Sequence, residues 1–159
     1  MKLRIIAKKP LDSYLEDVVQ DAVDHFAKRL HIPSTTILTI RFADLKQQLG
    51  YVDLPTITSF LTKPPRKLVI SIRELDFSTN VAVLLRILAH EMVHVKQVVD
   101  GNLKVMYNGD SKDFVVFWRG NALGIWMKDV SYTEAPWEVE ANSKEPDLVN
   151  SFVFEMKRL

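Results

Sequence analysis

Apolar residues recur along the chain in two rhythms that predict where helices and strands lie. Between positions 13 and 30, Leu15, Val18, Val19, Ala22, Phe26 and Leu30 return every three or four residues, the spacing that lines one face of an α-helix. Ser13 and Glu16 form the S-x-x-E pattern of a capping box at its start, and Pro33 closes it. Positions 36–42 and 67–73 alternate and are rich in β-branched residues, which predicts strands; positions 2–7 predict a shorter one. The stretch 44–65 reads as a short helical piece and a loop. Positions 81–99 are apolar on almost every side and predict a long buried helix, with Ser78 or Thr79 as its N-cap and Gly101 beyond its end. Two short apolar pieces, 103–107 and 114–119, flank the turn signal Asn108-Gly109-Asp110. A last helix begins at Pro136, whose fixed φ and missing N–H suit a first turn, and Pro146 is expected to break it into two. The order β-α-β-loop-β-α-β-β-α predicts an α+β fold with a small mixed sheet packed on helices.

With 159 residues, no repeat and no low-complexity linker, the chain reads as one domain over 1–159. At 47% hydrophobic residues it can bury a core, and a net charge of +1 gives no chain-wide field for nucleic acid or an anionic membrane. The absence of cysteine excludes disulfides, thiolate zinc clusters and cysteine nucleophiles together. No apolar run reaches the length of a membrane span. The first apolar residues, Leu3, Ile5, Ile6 and Ala7, are cut off by Lys8, Lys9 and Pro10, too early for a secretory leader, so a cytoplasmic protein is expected.

One motif carries chemistry. His90-Glu91-Met92-Val93-His94 places two imidazoles one helical turn apart on the same face, where both reach one Zn²⁺. Glu91 is turned away from His90 and flanks the ion, the place for a base acting on water. Three ionisable groups in so apolar a helix are costly unless a cation pairs them. A third ligand is needed. Asp100 falls at the metzincin spacing, but that pattern wants a glycine where Gln97 stands, so Asp100 reads better as a helix-end residue. Glu138, in the first turn of the last helix, is the better candidate, with Glu134 or Glu140 in its place if that helix starts elsewhere. Asn142, one turn after Glu138, is expected to hydrogen-bond a ligand histidine from outside the metal shell.

Other residues carry weaker expectations. His25 and His31 read as surface or helix-end residues, and Trp118 and Trp126 as core residues or walls of a groove. Tyr132 is a candidate donor to a developing oxyanion, although a structural hydroxyl is the simpler reading. Strand 67–73 is expected to be an edge to which an extended peptide adds.

His90-Glu91-x-x-His94 followed by Glu138-x-x-x-Asn142 resembles the gluzincin arrangement of thermolysin-like and ImmA/IrrE-like metallopeptidases. The strings HEMVHVKQ and PWEVEAN are similar to small single-domain metallopeptidases of bacteriophage genomes, sometimes labelled SprT-like. The resemblance implies a zincin-like fold, zinc held by His90, His94 and Glu138, Glu91 as general base, and a protein or peptide substrate. For a phage protein it implies the host cytoplasm or the virion as its place. SprT proper differs: it uses a third histidine and a cysteine zinc ribbon, which this cysteine-free chain lacks. The DNA-linked role therefore does not carry over, and no nucleic-acid or membrane partner is expected. The competing expectation is a zincin-fold binding or virion-associated protein whose zinc is structural.

Overall fold

The structure, a computed structural model, describes residues 1–46, 48–57, 62–75, 77, 80–125, 128–129 and 131–157. In chain order the elements are β1 (Lys2–Ala7), α1 (Ser13–Arg29), β2 (Ile37–Ala43), β3 (Gly50–Val52), β4 (Thr56–Ile57), β5 (Lys67–Arg73), α2 (Val81–Val99), β6 (Leu103–Asn108), β7 (Asp113–Trp118), β8 (Asn121–Ile125) and α3 (Pro136–Met156). The fold is mixed α+β. Among the described residues it has two small mixed sheets and three α-helices, where the sequence predicted one sheet. The first sheet runs β1-β2-β5-β3, with β3 antiparallel to β5 and the other neighbours parallel. The second runs β4-β6-β7-β8, with only β4 and β6 parallel. No described helix is long and apolar enough to cross a membrane.

Leu38, Ile40 and Phe42 of β2 and Leu68, Ile70 and Ile72 of β5 are buried, as their alternation predicts. α1 supplies Leu15, Val18, Val19, Ala22 and Phe26 to the same core. α2 is the central element, with thirteen of its nineteen residues buried, and it packs against α1, α3, β3, β5 and β6. Each fully buried Leu, Val or Met there contributes about 1.5–3 kcal/mol, which makes α2 a rigid carrier for whatever it displays.

Several local expectations are corrected. Asp12 caps α1, its carboxylate accepting from the Tyr14 N–H at 2.8 Å, so the Ser13–Glu16 box is displaced by one residue. Ser78 and Thr79, expected to cap α2, lie outside the described residues; Asn80 occupies the cap without a side-chain bond. The stretch 44–65 contributes strands β3 and β4 where a helical piece was expected. β5 is flanked by β2 and β3, so the free edge beside α2 belongs to β3.

α3 runs unbroken through Pro146. Proline there removes one backbone bond and crowds the Asn142 carbonyl, at a cost of about 3 kcal/mol. Asn142 and Pro146 are both exposed, so water can serve the freed carbonyl. Beyond the proline, Leu148 and Phe152 are buried, and Phe152 packs edge-on to Phe26 at 5.9 Å. That packing holds the helix on course. β8 follows β7 through a two-residue turn in which Arg119 and Gly120 both have positive φ, 48° and 87°.

β3 approaches α2 most closely at Gly50. A methyl group there would stand 2.7 Å from Ile87 Cγ2 and 3.3 Å from Glu91 Oε1. Ile87 is β-branched within a helix and cannot swing aside. Gly50→Ala is therefore expected to lower stability by about 1–3 kcal/mol, read from the urea midpoint. An unchanged midpoint would show that the β3–α2 contact is loose.

Candidate metal centre

α2 projects His90 and His94 from adjacent turns, and the first turn of α3 brings Glu138 against them. The two Nε2 atoms are 3.2 Å apart; Glu138 Oε2 lies 3.2 Å from His90 Nε2 and Oε1 lies 3.3 Å from His94 Nε2. Among the described residues these three side chains are the group able to hold a metal ion. His94 and Glu138 are buried and His90 half-buried.

Protonation decides what this cluster can hold. Gln97 Nε2 donates to the Trp137 carbonyl and to Glu140 Oε2, each at 3.0 Å, which fixes the amide so that Oε1 faces His94. His94 Nδ1 must then be the donor in its 2.8 Å bond to Gln97 Oε1. His90 Nδ1 faces Glu145 Oε2 at 3.6 Å, and Glu145 in turn accepts from Arg86 Nε at 2.6 Å. With His94 Nδ1 committed as the donor, a neutral His94 turns its Nε2 lone pair towards His90 Nε2 and the Glu138 carboxylate, 3.2 and 3.3 Å away. A proton shared within the cluster, or one divalent ion, relieves that repulsion. The 3.2 Å between the two Nε2 atoms matches the roughly 3.3 Å edge of a tetrahedron with bonds of about 2.0–2.1 Å, and one donor atom from each of the three residues lies within 4.8 Å of the others. The donor set fits a metal.

The electrostatics agree. Burial opposes the Glu138 carboxylate, but bonds from His90 and His94 outweigh it and hold its pKa down at about 2. Burial likewise opposes the charged form of His94, yet Glu138, Glu91 and Gln97 raise its pKa. Glu91 is 5% exposed, and among the described residues its Oε2 has no hydrogen-bond partner. Burial pushes its pKa up to about 7, against the lowering effect of His94, His90 and a backbone bond from Val52 of β3.

A cleft of about 470 Å³ opens over Glu91, His94 and Glu138. Tyr51, Val52 and Leu54 form one wall, and Leu103, Val105, Phe114 and Trp137 line much of the rest.

Four expectations need correction or location. Asp100 caps α2 and pairs with Lys96 at 3.0 Å, Glu134 is exposed, and Glu140 faces Gln97, so Glu138 alone of the candidates joins the histidines. Asn142 is exposed, and the groups facing the Nδ1 atoms of His94 and His90 are Gln97 and Glu145. Seven residues make almost two full turns, which aligns Glu145 with Glu138 better than a four-residue step does. His25, read as a surface residue, links α1 to α3 through Ser151 Oγ and Glu155 Oε2, both at 2.8 Å. Trp126 and the Tyr132 side chain lie outside the described residues, while the Tyr132 backbone forms the 3-10 turn that leads into α3.

Sequence reasoning passed over Gln97, Glu145, Arg86 and the cleft residue Trp137. A helical signal for Gln97 was present: it stands three residues after His94, on the same face. Comparison with protein-family models, with curated proteins and with solved structures gives no match.

Proposed function

We propose that this chain is a zinc-dependent peptidase of zincin-like fold, gluzincin-like in its ligand set. The observation that carries the reading is Glu91: a buried carboxylate with one oxygen unpartnered, lining the same cleft as His94 and Glu138. Leaving such an oxygen unpaired costs about 1–3 kcal/mol or more, which a purely structural site would have no reason to sustain. The two imidazoles and one carboxylate suit zinc, and three protein ligands leave the open position of a catalytic site.

When bound, zinc supplies a Lewis acid that polarises a carbonyl and lowers the pKa of water. The protein does the rest. Glu91 takes the proton from the attacking water and passes it to the leaving amine, a role suited to its unpartnered oxygen in the same cleft as His94 and Glu138. An extended peptide adds along β3, the edge strand of the first sheet that lines the cleft, with apolar side chains against Leu103, Val105 and Phe114. Tyr132 is the candidate donor to the developing oxyanion. Zinc-loaded protein should hydrolyse unfolded casein, stop on chelation and recover on adding zinc. No cleavage across a broad panel of unfolded proteins would contradict the proposal.

A further inference from the structure

We propose that Glu140 is a positioning residue of the metal centre, acting through Gln97 to keep His94 in the tautomer that can bind metal. The inference rests on His94 being a ligand. Glutamine is ambiguous by construction: a half-turn of its amide exchanges a donor for an acceptor at almost no steric cost. If Gln97 presented its amino group to His94, Nδ1 would have to carry the lone pair. The proton would then sit on Nε2, between the imidazole and any ion. Gln97 is 2% exposed, so water does not choose its orientation.

Two acceptors choose it instead. The Trp137 carbonyl takes one amino hydrogen and Glu140 Oε2 takes the other. Glu140 is held for that task by its second oxygen: Oε1 receives Lys144 Nζ at 2.7 Å and Arg119 Nη2 at 3.4 Å, leaving Oε2 to face Gln97. Arg119 sits in the β7–β8 turn with its guanidinium 5.0 Å over the Trp118 ring, and Trp118 packs on Trp137 at 6.3 Å. The polarity of one buried amide is thus set from the far side of α3 and from the second sheet. Hydrogen bonds to a charged acceptor are roughly twice as strong as neutral ones, so Glu140 is the stronger of the two constraints on the amide.

The test uses the full chain and reads two quantities. In metal-free protein at pH 8, ¹⁵N shifts of the His94 ring should show Nδ1 protonated and bonded to Gln97. Glu140→Ala should populate the other tautomer, and zinc affinity, measured against a competing chelator, should fall about tenfold, the lower end for partners outside the metal shell. The isosteric Glu140→Gln, which keeps the packing and removes the charge, should shift both readouts the same way by less. In a Gln97→Met background, Glu140→Ala should change zinc affinity no further, because the intermediary is gone. An unchanged His94 tautomer in both Glu140 variants would overturn the proposal. So would an equal loss of affinity in the Gln97→Met background, since that would mean a direct charge effect on the ion. The tautomer is read without metal or substrate, so it stands or falls apart from the peptidase reading.

Discussion

Glu91→Gln is expected to abolish hydrolysis while leaving zinc and fold in place. Glutamine keeps the shape of the side chain and cannot accept the proton from water, so the rate should drop on the order of 100- to 10,000-fold. Zinc should remain, because Glu91 is not one of the three side chains placed to hold it. The same substitution makes a stability prediction of definite sign. The folded pKa of Glu91 is raised from 4.5 to about 7, so its contribution is fully present below the unfolded value and is lost as pH rises through about 7. Neutral glutamine escapes that loss. Metal-free Glu91→Gln should therefore be more stable than the parent at pH 8, by up to about 3 kcal/mol, and the gain should vanish near pH 4. Wild-type hydrolysis by the variant would remove Glu91 from the mechanism.

Glu138→Ala should release zinc. Partners outside the metal shell cost about 10- to 100-fold in affinity, and loss of a direct ligand should cost more than that. It also strips both imidazoles of their shared carboxylate, 3.2 and 3.3 Å away, and leaves two histidines alone to hold the ion. α3 should keep its place, since Trp137, Ala141, Leu148 and Phe152 remain buried in the core. Chelator competition would measure the loss and circular dichroism the fold. Unchanged affinity in a folded variant would reassign the third ligand.

The parts of this molecule that were legible in its sequence are those fixed by local periodicity. β2, β5, α1 and α2 each carry enough turns or alternations for the pattern to declare itself, and α2 displays its two histidines through helix geometry alone. Glu138 was legible because Pro136 marks a first turn and so sets the register of α3. β3 and β4 were not, because three and two residues are too few for a period to show. β8 was hidden by its turn, which uses Arg119 where glycine or asparagine would have signalled a left-handed residue. Pro146 misled because a proline breaks a helix on local grounds, whereas Leu148 and Phe152 hold α3 together through tertiary packing. Asn142 misled for a related reason. A four-residue step suggests one face, but which group meets an imidazole depends on how α3 lies against α2, and that brings Glu145 and Gln97 forward instead.

Metal binding by His90, His94 and Glu138 is tested most directly by zinc affinity measured by chelator competition between about pH 5 and 8, bracketing the histidine range. The prediction is one zinc per chain, with affinity falling as pH drops, because protons compete for the same Nε2 atoms. Since the surroundings of His94 raise its pKa, the fall should begin above the ordinary histidine value of about 6.5. Glu138, held down at about 2, should stay ionised throughout and add nothing to the slope. Failure to take up stoichiometric zinc, or an affinity independent of pH across that range, would contradict metal binding at this site.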